Sequence, residues 1–70
     1  MNNQAQNDFI LNDLIYYLEN NYGLSQESIE LALKYSKKEN APFLIILWNF
    51  GFISTIQYEK ILKWHFDNNF

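Results

Sequence analysis

The segment Asn49-Phe50-Gly51-Phe52-Ile53-Ser54-Thr55-Ile56-Gln57 contains both a helix stop and a helix start, and the rest of the fold can be inferred outward from it. Gly51 follows an apolar run and predicts a helix end, because glycine adopts the left-handed backbone conformation without a Cβ penalty. Ser54 and Gln57 have the spacing of a capping box, in which each side chain accepts a hydrogen bond from the other residue's backbone N–H. The segment therefore predicts a tight turn between two helices.

A similar segment occurs earlier in the chain. Residues 21–25, Asn-Tyr-Gly-Leu-Ser, again join an aromatic residue and a glycine to an apolar residue and a serine. The recurrence indicates either an internal duplication or two independent uses of favourable turn chemistry, and the residues do not distinguish these origins. In both cases the chain is predicted to consist of two helix–turn–helix units. The structural turn residues are Gly23, Ser25, Gly51 and Ser54.

Apolar residues recur at helical spacing on both sides of these turns. The predicted helices span about residues 8–21, 26–39, 42–50 and 55–67. The third contains an apolar run, residues 43–48, that a buried strand could also explain, but Pro42 before it and Gly51 after it are typical of helix ends. We therefore expect a short, central, mostly buried helix. The predicted fold class is all-α, a compact four-helix domain over residues 8–70 that follows a flexible N-terminal tail of residues 1–7. The predicted inner faces carry Ile10, Leu14, Tyr17, Leu18, Ile29, Ala32, Leu33, Ser36, Tyr58, Ile61, Leu62 and His65.

The composition limits the classes of function that the chain can have. It has 70 residues, which is room for one domain, and no cysteine, which excludes disulfides and Cys-based zinc sites. Its 5 basic and 8 acidic residues give a net charge of −3, which argues against a nucleic-acid partner. We find no secretory signal, and the longest apolar run is too short to span a bilayer, so we expect a cytoplasmic protein.

His65 is the only side chain that titrates near neutral pH, and it is the natural candidate for acid–base catalysis. No serine, cysteine or carboxylate lies at a spacing that would pair it with a nucleophile. A single histidine also makes a metal site unexpected, and no cofactor-binding motif is present in the sequence. We therefore expect a protein that is not an enzyme, with no catalytic residue, metal or cofactor.

The aromatic content is the better indication of function. Six Phe, five Tyr and two Trp are more than a small four-helix core accommodates. Clusters of exposed aromatic side chains commonly mark interfaces, so we expect a non-enzymatic protein–protein interaction or regulatory module that binds another protein or a second copy as a homodimer. Alternatively, the C-terminal end folds back and buries its own phenylalanines as a cap. The predicted interaction surface consists of Tyr16, Trp64, Phe66 and Phe70.

Four segments carry a resemblance to a known family: Leu24-Ser25, Leu31-Ala32-Leu33, residues 47–54 and Ile61-Leu62-Lys63-Trp64. Together they resemble a family of small cyanobacterial proteins of unknown function, and the resemblance covers residues 9–66. The Leu-Trp-x-aromatic-Gly part of residues 47–54 is its most specific feature. The resemblance implies a cyanobacterial, cytoplasmic protein and assigns no catalytic residue.

A looser similarity concerns the surroundings of Gly51. The N-terminal domain of MshE-type secretion and pilus ATPases binds cyclic di-GMP through a sequence motif that contains a glycine. When Gly51 is aligned with this glycine, Trp48 falls on an apolar position of the motif and His65 on its closing glutamine. Residues 42–44, Pro-Phe-Leu, replace the Arg-Leu-Gly that opens that motif. The resemblance implies an alternative function, a sensor of a cyclic dinucleotide-like ligand at Trp48, Gly51 and His65. Without the arginine and the glycine, we regard a small ligand as the less favoured partner.

Overall fold

Four α-helices make up the part of the chain that the structure describes. The computed structural model describes the backbone of residues 3–67 and the side chains of residues 11–67. Helix α1 spans Asn3–Tyr22, α2 spans Gln26–Glu39, α3 spans Phe43–Asn49 and α4 spans Thr55–Asp67, with no strand among residues 3–67. The prediction of an all-α, four-helix fold is therefore confirmed, and the apolar run of residues 43–48 is helical.

The start of α1 is the one helix boundary that differs clearly from the sequence-based prediction. The helix begins at Asn3, whereas its predicted start is near residue 8. Residues 3–7 contain no proline or glycine, and Gln4, Ala5 and Gln6 have good helix propensity. Nothing in this segment therefore prevents α1 from beginning before residue 8. That residues 1–7 form a flexible tail remains a prediction.

The turn between α3 and α4 has the geometry that its sequence predicts. Gly51 has a φ angle of +79°, its N–H donates to the Trp48 carbonyl at 3.0 Å, and the Phe52 N–H donates to the Leu47 carbonyl at 2.9 Å. This pair of hydrogen bonds is the Schellman motif, which satisfies carbonyls that the helix end leaves free. Gly23, in the earlier turn, also has a positive φ of +65°.

Both serines act as helix caps. The Gln57 N–H donates to Ser54 Oγ at 3.1 Å, and the Ser54 N–H donates to Gln57 Oε1 at 2.9 Å, which is the predicted capping box. In the earlier turn the Ser28 N–H donates to Ser25 Oγ at 3.1 Å. The repeated element is therefore a left-handed glycine followed by a serine cap.

A third turn, between α2 and α3, uses asparagine in the left-handed position. Asn40 has a φ angle of +54°, and the Ala41 N–H donates to the Ser36 carbonyl at 3.0 Å. The Ser36 hydroxyl donates in return to the Ala41 carbonyl at 2.6 Å, and Pro42 then caps α3. Asparagine tolerates this conformation better than other residues that carry a Cβ, so the predicted break at residues 40–42 occurs without a glycine.

All four helices contribute to one core. Its buried side chains are 5% exposed or less, and the largest fully buried ones are Leu18 from α1, Leu47 from α3 and Ile61 from α4. The complete core cluster consists of Leu14, Leu18, Ala32, Ile46, Leu47, Ile53 and Ile61. The two helix–turn–helix units thus pack around a single interior.

Helix α3 is less buried than its sequence predicts. Only Ile46 and Leu47 are buried, whereas Trp48 at the C-terminal end of the helix is 37% exposed. The reason is geometric, since a helix of about two turns can direct only one side toward the core. The expectation of a mostly buried α3 therefore holds for one side of the helix.

Replacing Gly51 by alanine should destabilise the fold by about 1–2 kcal/mol, because alanine would have to adopt a left-handed conformation. A Cβ at this position meets no atom within 4 Å, so the cost is conformational and not steric. Gly51→Asn is the matched control and should lose less, since asparagine tolerates positive φ. Urea denaturation measures both variants, and a Gly51→Ala protein as stable as the wild type would contradict this account of the turn.

Candidate functional site

The predicted interaction residues do not all lie on the surface. Tyr16 is 70% exposed and Phe66 is 58% exposed, as expected of binding residues, whereas Trp64 is half-buried. Phe70 lies outside the described residues. Tyr16 lies between the buried Leu14 and Leu18, on the side of α1 that faces away from the core.

Trp64 packs between α1 and α4. Its ring stacks on the ring of Tyr17 with a centroid separation of 3.9 Å and an interplanar angle of 8°, and Tyr17 meets Tyr22 edge to face at 5.8 Å. Burial raises the pKa of the Tyr22 phenol, and a side-chain hydrogen bond with Tyr17 raises it further. Trp64 is predicted from the sequence to lie outside the inner stripe, but it follows Ile61 by three residues and so shares the inner face of α4.

Trp48 is held against the start of α4. Its indole stacks on Tyr58 at 4.8 Å with an interplanar angle of 15°, and its Nε1–H donates to Thr55 Oγ1 at 3.1 Å. The exposed ring is thus fixed by one aromatic contact and one hydrogen bond. It stabilises the junction between α3 and α4.

A second group of aromatic rings connects α2 to the same turn. Phe50 meets Tyr35 edge to face at 5.2 Å and Phe52 at 6.0 Å. Lys38 places its Nζ atom 5.3 Å from the centre of the Tyr35 ring, within the range of a cation–π interaction. Phe50 is partly exposed, but its ring packs against Tyr35 of α2 and against Phe52 within the turn.

The three residues predicted for a small-ligand site are not brought together. Trp48 and Gly51 share a turn, whereas His65 lies seven residues beyond Tyr58, about 10 Å farther along the α4 axis. The half-buried ring of His65 lies 6.5 Å from the ring of Phe66. The φ angle of Gly51 is sufficient to explain why this residue is glycine. Binding of a cyclic dinucleotide-like ligand remains a prediction.

One face of α4 carries exposed apolar side chains that do not pack in the connections between helices. Ile56 is 66% exposed and, with Glu59, Lys63 and Phe66, lies on the side of α4 opposite the buried Ile61. We call these four residues the outer face of α4. It has an apolar residue at each end and one charge of each sign between them.

Ile56 is not among the predicted surface residues, although the sequence contains a signal for its exposure. If Ser25 is aligned with Ser54 in the two repeated segments, Ile56 falls on the position of Glu27. Both residues are exposed, and both lie in the first turn of the helix that follows the cap. A glutamate in one copy therefore indicates a solvent-facing position in the other.

Two further classes of site can be assessed within the described part of the chain. Residues 11–67 contain no group of three or more His, Asp or Glu side chains that could hold a metal ion. None of the helices described is long and apolar enough to cross a membrane.

The fold and the outer face of α4 define a small all-α domain with an exposed, partly apolar helix surface. A family model described as "Protein of unknown function (DUF2949)" matches residues 11–65, so the chain belongs to this family. No curated protein and no solved structure matches the chain significantly. The expected membership of a family of unknown function is confirmed, while a cyanobacterial origin and a similarity to MshE-type domains remain predictions.

Proposed function

We propose that the chain is a non-enzymatic protein–protein interaction module whose binding surface is the outer face of α4. The observation that carries the proposal is the exposure of Ile56 and Phe66 on one side of a single helix. Exposed apolar groups next to polar ones are typical of surfaces that bind another protein. A cytoplasmic protein of cyanobacterial origin belongs to the same proposal.

The exposed rings of Trp48 and Phe50 are weaker candidates because the fold already uses them. Trp48 stacks on Tyr58, and Phe50 packs against Tyr35 and Phe52, so replacing either ring would disturb a junction between helices. The outer face of α4 can change without removing a core contact. An interaction surface that is independent of the core can bind a partner while the fold stays intact.

The proposal assigns no catalytic residue to this surface. The outer face of α4 offers two hydrocarbon side chains, one carboxylate and one ammonium group. None of these is a nucleophile held against a base, which covalent catalysis would require. What the face can supply is apolar contact at its ends and charge complementarity at its centre.

A differential pull-down from an extract of the native host tests the proposal. The baits are the tagged wild-type chain, the Ile56→Ser/Phe66→Ser variant and the control variant Leu31→Ser, which alters an exposed leucine on α2. We expect at least one protein that the wild type and the control retain and that the double variant loses. Equal retention by all three baits, with unchanged circular dichroism, would contradict the proposal.

A further inference from the structure

We propose that the outer face of α4 binds the same face of a second copy of this chain, with the two helices antiparallel. The inference rests on the proposed function, because it takes the same surface and names its partner. It is drawn from the order of the four side chains along the helix and from their charges.

The four positions are symmetric about Ile61. Ile56 and Phe66 lie equally far from it along the chain, and so do Glu59 and Lys63. A two-fold axis that crosses α4 near Ile61 therefore places Ile56 opposite Phe66 of the second copy, and Glu59 opposite Lys63 of the second copy. The four residues are separated by three, four and three residues. This is the spacing of the a and d positions of a heptad repeat, which form the contact surface between two paired helices.

The charges select the antiparallel orientation. Two antiparallel copies form two Glu59–Lys63 pairs across the axis, whereas parallel copies in register would set Glu59 against Glu59 and Lys63 against Lys63. Each exposed ion pair contributes little on its own, whereas like charges in contact repel each other, so the charges determine orientation more than affinity. The two Ile56–Phe66 contacts supply the apolar burial, and the interface is isologous, with the same patch on both copies.

The dimensions of the face predict a weak dimer. From residue 56 to residue 66 it extends about 15 Å, since a helix rises about 1.5 Å per residue. A standard stable interface buries about 800 Å² of accessible surface on each partner, and a face of this length buries less. We therefore expect monomers and dimers in rapid exchange, with dissociation in the high micromolar range.

Sedimentation equilibrium of the full chain across a wide concentration range tests this arrangement by charge reversal. Glu59→Lys and Lys63→Glu each place like charges across the axis, and each alone should weaken the dimer at least about tenfold. An equimolar mixture of the two variants restores both opposite-charge pairs, and so does the chain that carries both substitutions. Both should recover the wild-type mass average. Lys34→Glu, on α2, controls for the change in net charge made by Lys63→Glu and should dimerise like the wild type.

Two outcomes would overturn the inference. A wild-type chain that stays monomeric at all concentrations excludes the second copy as partner, and a dimer that the mixture fails to restore excludes the antiparallel pairing. Either result is compatible with the proposed function if the pull-down still shows that the outer face of α4 determines which proteins the chain retains. If the pull-down shows no such dependence as well, the proposed function fails too.

Discussion

Leu47→Ala is expected to lower the free energy of unfolding by about 2–5 kcal/mol. Leu47 is fully buried and lies in the core cluster to which all four helices contribute. Truncation to alanine removes apolar burial and leaves a cavity that the surrounding helices fill only in part. Because a domain of this size has roughly 3–10 kcal/mol of stability in total, this single substitution should remove a large part of it.

Leu31→Ala is the matched control for this prediction. Leu31 is also a helical leucine, but it is 40% exposed on α2, so its truncation should cost less than about 0.5 kcal/mol. Urea denaturation followed by circular dichroism measures both variants. Equal losses at the two positions would show that the core is not where the structure places it.

Trp64→Ala is expected to destabilise the fold by about 2–3 kcal/mol. Replacing a fully buried aromatic residue by alanine typically costs more, about 3–5 kcal/mol. Trp64 is half-buried, and its ring stacks on Tyr17 at 3.9 Å, which joins α4 to α1. The stacked pair should account for about 0.5–1.5 kcal/mol of the loss beyond the buried area.

A double-mutant cycle separates the stacking from the rest of the effect. Tyr17→Leu, Trp64→Ala and the combined variant should show a coupling of the size expected for an aromatic pair, and Trp64→Phe should retain part of the stability. If Trp64→Ala leaves stability unchanged and abolishes partner binding, Trp64 is an interface residue. The packing role assigned to it here would then be wrong.

The turns could be predicted from the sequence because their chemistry is local. Gly51, Ser54 and Gln57 contact groups within a few residues of themselves, so their types and spacing determine the left-handed turn and the capping box. The start of α1 could not be predicted in this way, since Asn7 is a favoured N-cap residue and yet the helix continues through it to Asn3. Helix propensity alone left its first residue undetermined.

The surface was harder to predict than the turns. Trp64 was expected outside the core, yet α1 lies on that side of α4 and supplies Tyr17 as a stacking partner. Ile56 is not predicted to lie on the surface, yet it is 66% exposed. Periodicity along one helix indicates that it has an inner face, but the width of that face depends on where the other helices pack.

The most direct test of the outer face of α4 as a self-binding surface is a dilution series of backbone amide spectra, recorded by nuclear magnetic resonance on the full chain. The account predicts concentration-dependent shifts that follow one binding curve and centre on Ile56, Glu59, Lys63 and Phe66, with Leu31 unchanged. Shifts centred elsewhere, or spectra that do not change with concentration, would contradict it.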